Sequence, residues 1–133
     1  MIVDSSALAA ILWNEPDAPV FAAAIDAASN RRMSAGTYLE IAILVDARRN
    51  PIASRRIDEL IAEGAISIEP VTAEQARIAR QAYRDFGKGS RHPAQLDFGD
   101  CFSYALAKEL REPLLFKGND FIHTDIVPAI QAR

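Results

Sequence analysis

The chain of 133 residues contains a single cysteine and no long apolar run. Cys101 alone cannot form an internal disulfide, which favours a reducing cytoplasm, and its apolar neighbours indicate a buried structural thiol. No segment has the ~18 continuous apolar residues of a membrane span, and the first residues lack the basic stretch and apolar core of a signal peptide. We therefore expect a cytoplasmic protein without a membrane segment.

An excess of positive charge is also missing, since the formal net charge is −3. This balance argues against a surface that is basic throughout, as in many nucleic-acid binders. The arginines nevertheless come in clusters suited to phosphate, although solvated helix ends and loops are the simpler explanation for each cluster. The clusters are Arg31 with Arg32, Arg48 with Arg49, Arg55 with Arg56, and the stretch from Arg84 to His92.

Strand-like and helix-like segments alternate along the chain, and half of its residues are hydrophobic. This alternation predicts one α/β domain over residues 1–133, with a central, mainly parallel sheet flanked by helices. The predicted strands are 1–4, 32–34, 65–69, 113–116 and 126–128. The predicted helices are 7–13, 18–28, 38–49, 52–63, 72–86 and 97–109. Ser5 or Ser6 is a candidate N-cap for the first helix, and Thr37 for the third.

Four acidic residues stand where such a chain should leave its sheet. Asp4 ends the first apolar run, Glu40 lies early in a helix, Asp100 opens another helix, and Asp120 follows a later apolar run. Ligands of open parallel sheets bind beyond the carboxyl ends of the strands. Clustered carboxylates stay ionised together only when a cation neutralises them, and hard oxygen ligands suit Mg²⁺ or Mn²⁺. The pattern therefore predicts a metal-dependent phosphodiesterase.

Three further residues are accessory candidates near these acids. Ser6 caps a helix or holds a bound water or phosphate, and Lys117 pairs with the carboxylates or with a phosphate. Asp97 lies one helical turn before Asp100, so one of the two should cap the helix while the other points inward. We assign Asp100 to the metal and Asp97 to capping or to a supporting role.

Four short motifs, in this order and spacing, resemble the PIN-domain ribonucleases, and most closely their VapC toxins. They are Ile2-Val3-Asp4-Ser5-Ser6-Ala7-Leu8, Ser34-Ala35-Gly36-Thr37-Tyr38-Leu39-Glu40, Leu96-Asp97-Phe98-Gly99-Asp100-Cys101-Phe102-Ser103-Tyr104-Ala105 and Leu114-Leu115-Phe116-Lys117-Gly118-Asn119-Asp120-Phe121. The resemblance covers essentially the whole chain. Two positions depart from the family pattern, because relatives often carry Asn at Asp97 and Pro at Gly36.

The resemblance implies a PIN fold and metal-dependent cleavage of RNA, such as transfer RNA or another structured RNA. It implies that Asp4 and Asp100 hold Mg²⁺ or Mn²⁺, that Glu40 acts through water, and that Asp120 completes the cage or holds a second ion. It also implies a homodimer and inhibition by a VapB-type antitoxin. Residues on the first two helices would line the antitoxin groove if they are not simply core, namely Trp13, Val20 and Phe21.

Other classes of protein fit the sequence less well. A phosphatase of the haloacid dehalogenase type needs a second aspartate two residues after the first, but Ser6 occupies that position after Asp4. A response-regulator receiver domain needs an acidic pair near the first strand, and none is present. A PIN-like module that binds RNA without cleaving it remains the non-enzymatic alternative, although all four acids are kept.

Overall fold

The computed structural model describes residues 1–130 as a four-stranded parallel sheet with helices packed around it. Strands β1 (Ile2–Val3), β2 (Arg32–Ser34), β3 (Ser67–Glu69) and β4 (Leu114–Leu115) lie in the order β3-β2-β1-β4. The helices are α1 (Ser5–Leu12), α2 (Ala18–Ala27), α3 (Ala35–Asp46), α4 (Pro51–Glu63), α5 (Ala73–Phe86) and α6 (Phe98–Leu110). The predicted α/β architecture is confirmed.

Strands β1 and β4 are buried on both faces. Val3 and Leu115 pack into an apolar cluster with residues of α1 to α4, while Ile2 and Leu114 pack into a second cluster with residues of α5 and α6. Successive side chains of a strand point to opposite faces, so each pair of neighbours serves both clusters. This double burial fixes the register in which Ile2 lies opposite Leu114 and Val3 opposite Leu115.

Polar side chains at the strand ends begin the helices, but two of the predicted N-caps are wrong. The Asp4 carboxylate, and not Ser5 or Ser6, caps α1 by accepting a hydrogen bond from the Ser6 amide. Ser34, and not Thr37, caps α3 by accepting from the Gly36 amide, so that helix begins three residues earlier than predicted. In both cases the chain turns into its helix at the end of the strand, because the capping oxygen comes from the residue just after β1 and from the last residue of β2.

One predicted helix end and one predicted strand also differ from the structure, beside shifts of one or two residues at other boundaries. Helix α3 ends at Asp46, and Arg49 has a φ of 55°, which an α-helix does not accommodate. The predicted strand 126–128 is wrong, because this segment makes one isolated bridge, between Leu114 and Pro128. Strand β4 has only two residues, so the segment 126–128 has little edge with which it could pair.

The helices are short. The longest is α5, with 14 residues. Across residues 1–130, no helix combines the length and apolar character needed to cross a membrane.

Candidate active site

The four predicted acids lie around the carboxyl end of the sheet, near β1 and its two neighbours β2 and β4. Asp4 directly follows β1 and Asp120 lies in the turn after β4. Glu40 is on α3, the helix that follows β2, and Asp100 is in the first turn of α6. Because β1 lies between β2 and β4, the structure brings these segments to one end of the sheet.

Asp4 is the most deeply buried of the four acids, with 4% of its surface exposed. Its Oδ2 accepts hydrogen bonds from the Ser6 amide at 3.1 Å and the Ser6 hydroxyl at 2.7 Å. Its Oδ1 accepts one from the Ser103 hydroxyl at 2.5 Å. Within residues 1–130, no cationic side chain forms an ion pair with it. A buried carboxylate is thus held by neutral donors alone.

Glu40 is half-buried and lies against the first turn of α6. The Ser5 hydroxyl donates to its Oε1 at 3.4 Å. A Cβ atom added to Gly99 would overlap the Glu40 carboxylate, so only glycine permits this close approach. Burial raises the pKa of Glu40, and the nearby charges of Asp97 and Asp4 raise it further, whereas the Ser5 hydrogen bond lowers it.

Asp97 and Asp100 form a reciprocal capping box at the start of α6. The Asp97 carboxylate accepts from the Asp100 amide at 2.8 Å, and the Asp100 carboxylate accepts from the Asp97 amide at 3.0 Å. The prediction that Asp97 caps this helix is therefore confirmed. Asp100 takes part in the same box while its carboxyl group lies near the other acids.

The pKa of Asp100 is raised from the usual 3.8 to about 8. Burial is the largest cause, because it disfavours the charged form. The hydrogen bond from the Asp97 backbone opposes the shift, and the charges of Asp97, Asp4 and Asp120 add to it. The raised pKa of Asp100 therefore reflects repulsion from three other carboxylates, those of Asp97, Asp4 and Asp120, in addition to burial. Asp120 itself is exposed.

Carboxylate oxygens that repel one another fit a divalent cation, because such an ion removes the repulsion and favours hard oxygen ligands. As they stand, however, no three His, Cys, Asp or Glu side chains within residues 1–130 converge closely enough to hold an ion. Asp4 and Asp100 are engaged instead by hydroxyl and amide donors. The donor chemistry therefore fits Mg²⁺ or Mn²⁺, while the side chains are not already arranged as a closed cage.

Lys117 does not pair with the four acids. Its ammonium group binds Glu15 and Asp17 in the turn between α1 and α2, with a distance of 3.0 Å to Asp17. The prediction of a pairing with the site carboxylates is therefore wrong. The backbone amide of Lys117 instead donates to the Ser6 hydroxyl at 2.9 Å, so Ser6 connects the turn after β4 to Asp4.

Sequence reasoning missed three residues of this site. Ser103 and Thr37 are fully buried, and their hydroxyl oxygens lie 3.1 Å apart beside Asp4. Gly99 provides the space for Glu40, which its place in the sequence did not indicate. One signal was available for Ser103, since it lies one helical turn after Asp100 and shares a helix face with it.

Most of the arginine clusters have structural roles. Arg31 donates to the carbonyl oxygens of Gly64 and Asp26, and Arg48 lies 3.9 Å from the centre of the Trp13 ring. Arg32 and Arg56 form ion pairs with glutamates. In the stretch from Arg84 to His92, by contrast, the three basic residues are exposed and make no ion pair within residues 1–130. These are Arg84, Lys88 and Arg91.

Cys101 is buried next to the site, as predicted for a structural thiol. Burial raises its pKa to about 11, with the charges of Asp100 and Asp97 adding to the shift. The thiol therefore stays protonated near neutral pH and is not a nucleophile.

Two concave surfaces flank the acids. A groove of about 610 Å³ runs between α5 and α6, with the aromatic rings of Tyr83 and Phe98 on its walls. A second cavity, of about 390 Å³, lies between α2 and the segment after β4 and includes Val20 and Phe21. Phe21 is otherwise part of the core, and Trp13 is 37% exposed.

Comparison with known proteins gives consistent matches. A family model described as the PIN domain matches residues 1–127. The chain is 57% identical over its full length to ribonuclease VapC28 of Mycobacterium tuberculosis, of which it covers 100%. It is 51% identical over 129 residues to ribonuclease VapC42 of the same species, with 97% of this chain and 98% of the relative covered.

Two solved structures share the fold. One is the crystal structure of VapC20 of M. tuberculosis, described as a toxin that cleaves the sarcin-ricin loop, with a TM-score of 0.72 and 18% identity. It covers 95% of each chain. The other is a toxin-antitoxin complex from Klebsiella pneumoniae, with a TM-score of 0.70, 15% identity and 98% of each chain covered.

Proposed function

Because the chain belongs to the PIN domain family, as a relative of the VapC ribonucleases, we propose that it is a metal-dependent endoribonuclease and the toxin of a toxin–antitoxin pair. Residues 1–133 act as one domain. The substrate is transfer RNA or another structured RNA, and we place the activity in the cytoplasm, where such RNA is found. The observation that carries the proposal is that Asp4, Glu40, Asp100 and Asp120 lie around one end of the parallel sheet, with Asp4 buried and without a cationic partner in residues 1–130.

Asp4 and Asp100 are the residues that we assign to a Mg²⁺ or Mn²⁺ ion, with Asp120 beside them. When bound, a divalent cation activates water and stabilises the charge of a phosphoryl oxygen. We assign Glu40 to orienting the attacking water, because burial and the charges of Asp97 and Asp4 raise its pKa and make it a stronger base. Ser6 and Ser103 keep the Asp4 carboxylate in one orientation. No covalent intermediate with the protein is required.

The activity is tested by incubating the chain, purified free of any partner, with transfer RNA and Mg²⁺ or Mn²⁺. We expect cleavage that stops in EDTA and in Asp100→Asn. Asp125→Asn is a matched control, because Asp125 pairs with Lys108 and Tyr104 outside the site. Equal cleavage by Asp100→Asn and the wild type would overturn the site assignment. A folded wild type that binds the metal but cuts no RNA would favour a PIN-like binding module.

We infer that a VapB-type antitoxin binds the cavity between α2 and the segment after β4. Its lining combines apolar side chains such as Val20 and Ile122 with the charged pair of Lys117 and Asp17. An amphipathic segment of the antitoxin would bury apolar residues there and cover the nearby acids. Val20→Asp should weaken binding of the cognate antitoxin without changing cleavage of RNA. Unchanged binding would place the antitoxin elsewhere.

We also propose that the chain forms a homodimer through the surface around the groove between α5 and α6. Several large apolar side chains are exposed along this surface and along the neighbouring α3: Leu39 at 57%, Ile43 at 57%, Tyr83 at 45% and Phe98 at 77%. A large exposed apolar patch is typical of a protein interface, and we propose that these side chains form one. Light scattering should report a dimer for the wild type.

The matched variants for the dimer are Ile43→Glu on α3 and Ile52→Glu on α4. Ile52 is 78% exposed but lies outside the proposed surface. Ile43→Glu should give a monomer and Ile52→Glu should not. A wild type that is monomeric at every concentration, or dimers in both variants, would contradict the assignment.

A further inference from the structure

The buried carboxylate of Asp4 has an unusual set of partners. Both lone-pair positions of Oδ2 are filled by the amide and hydroxyl of Ser6, at 3.1 and 2.7 Å. Within residues 1–130, Oδ1 has one donor, the Ser103 hydroxyl at 2.5 Å. Oδ1 is therefore the oxygen of Asp4 that keeps a free acceptor position, and Ser103 is the residue that directs it.

The hydroxyl of Thr37 lies next to the hydroxyl of Ser103. The hydroxyl oxygens of Thr37 and Ser103 lie 3.1 Å apart, and both side chains are fully buried. A hydroxyl carries a single hydrogen, and an ionised carboxylate can only accept. Since Ser103 gives its hydrogen to Asp4, Thr37 must be the donor to Ser103. The hydrogen bonds therefore run in one direction, from Thr37 to Ser103 to Asp4.

This chain of hydroxyls joins the elements that carry the site. Thr37 is on α3, one turn before Glu40, and Ser103 is on α6, one turn after Asp100. The orientation of Asp4 is thus tied to the two helices that carry the other buried acids. Ordered hydrogen bonds of this kind strengthen one another in a buried site, where water does not compete.

We propose that Thr37 and Ser103 are positioning residues that aim Oδ1 of Asp4 for its role in binding the divalent cation. The inference rests on the proposed function, since it concerns the same site. Partners that orient a metal ligand typically contribute about 10- to 100-fold in metal affinity or activity. We expect an effect of this size when Ser103 loses its hydroxyl, and a smaller one when Thr37 does.

The test uses two substitutions at the same buried position. Thr37→Val keeps the shape of the side chain and removes the hydroxyl, whereas Thr37→Ser keeps the hydroxyl and removes a methyl group. Mn²⁺ affinity is measured by electron paramagnetic resonance titration, with thermal unfolding and RNA cleavage measured beside it. Ser103→Ala and Ser103→Thr form the second pair.

A positioning role predicts that Thr37→Val binds Mn²⁺ several-fold more weakly, while Thr37→Ser binds it like the wild type even where its melting temperature falls. Ser103→Ala should bind Mn²⁺ about 10- to 100-fold more weakly and lose kcat rather than raise KM for RNA, and Ser103→Thr should recover both. If affinity instead follows thermal stability, so that Thr37→Ser is as impaired as Thr37→Val, the hydroxyls only fill space and the inference is overturned.

The wild type separates this outcome from failure of the proposed function. A wild type that cleaves RNA with Mn²⁺, together with variants that bind Mn²⁺ equally well, overturns the positioning role alone. A folded wild type that neither binds Mn²⁺ nor cleaves RNA overturns both.

Discussion

The two ends of the sheet differ in whether their buried charged groups have partners of opposite charge. At the amino ends, Glu112 accepts from the Met1 amino group at 2.7 Å and also pairs with Arg32. At the carboxyl ends, Asp4, Glu40 and Asp100 are partly or wholly buried without a cationic partner in residues 1–130, and the pKa values of Glu40 and Asp100 are raised. One end is neutralised by the protein itself. The other end holds negative charge that a bound cation would neutralise.

Burying like charges together destabilises a fold. Because the protein buries like charges at the carboxyl ends of the strands and pairs opposite charges at the amino ends, we infer that the carboxyl ends form the functional site. The hydroxyl and amide donors around Asp4 and Asp100 reduce this cost without supplying positive charge. This difference connects the fold to the proposed activity. Substitutions at either end of the sheet can test it.

The largest effect on function is expected at the carboxyl ends. Asp4→Asn should keep the shape and the fold but remove the charge that a cation needs. We expect RNA cleavage to fall by more than the roughly 100-fold that is typical of losing an outer partner of a metal ligand. Cleavage assays with circular dichroism as a check on folding would measure this. Cleavage within a few fold of the wild type would remove Asp4 from the site.

The largest effect on stability is expected at the amino ends. Glu112→Gln leaves the Met1 amino group and Arg32 without their carboxylate. The free energy of unfolding should fall by about 1–3 kcal/mol, the range for hydrogen bonds to charged groups in partly buried positions. Denaturant titration measures it. RNA cleavage per folded molecule should not change, and a selective loss of activity would mean that the two ends are not independent.

Substitutions of Gly99 and Gly36 separate an effect on the site from an effect on stability alone. A Cβ atom on Gly99 would overlap the Glu40 carboxylate, and one on Gly36 would overlap the Phe102 ring. Both Gly99→Ala and Gly36→Ala should lower stability, but only Gly99→Ala displaces a carboxylate of the site. We therefore expect weaker Mn²⁺ binding in Gly99→Ala alone. Equal losses of Mn²⁺ affinity in the two variants would indicate a general distortion.

A pH dependence of stability is also expected in the metal-free protein. The pKa of Asp100 is about 8 in the folded chain against the usual 3.8, so the folded state holds a proton that the unfolded state releases between these values. The stability contributed by this group is present below 3.8 and is lost as the pH rises towards 8. The melting temperature should fall over this range less steeply in Asp100→Asn than in the wild type. Identical slopes would show that Asp100 is not the titrating group.

The sequence predicted the sheet and the acids because both leave local patterns. The short apolar runs that precede Asp4 and Asp120 indicated that these residues lie beyond the strands, and the spacing of Asp97 and Asp100 predicted a capped helix. The partner of Lys117 was mispredicted, because Glu15 and Asp17 approach it only through the folding of α1 and α2.

The hydroxyl partners of Asp4 lay beyond what a local pattern can show. Ser103 is 99 residues from Asp4 in the sequence, and a buried serine in a helix resembles ordinary small-residue packing. The cap of α3 was misplaced for a related reason, since Ser34 and Thr37 are both good capping residues. The burial of Thr37 beside Ser103 shows which role each one has.

The most direct test of the cation-binding end is a Mn²⁺ titration of the metal-free protein near neutral pH, with Asp100→Asn and Asp125→Asn measured in parallel. We predict that the wild type and Asp125→Asn bind Mn²⁺ with similar affinity and that Asp100→Asn loses most of it. Binding should also release protons, because Asp100 is largely protonated in the metal-free protein. Equal Mn²⁺ affinity in all three proteins would contradict the account, because the acids at the carboxyl ends would then not be the cation site.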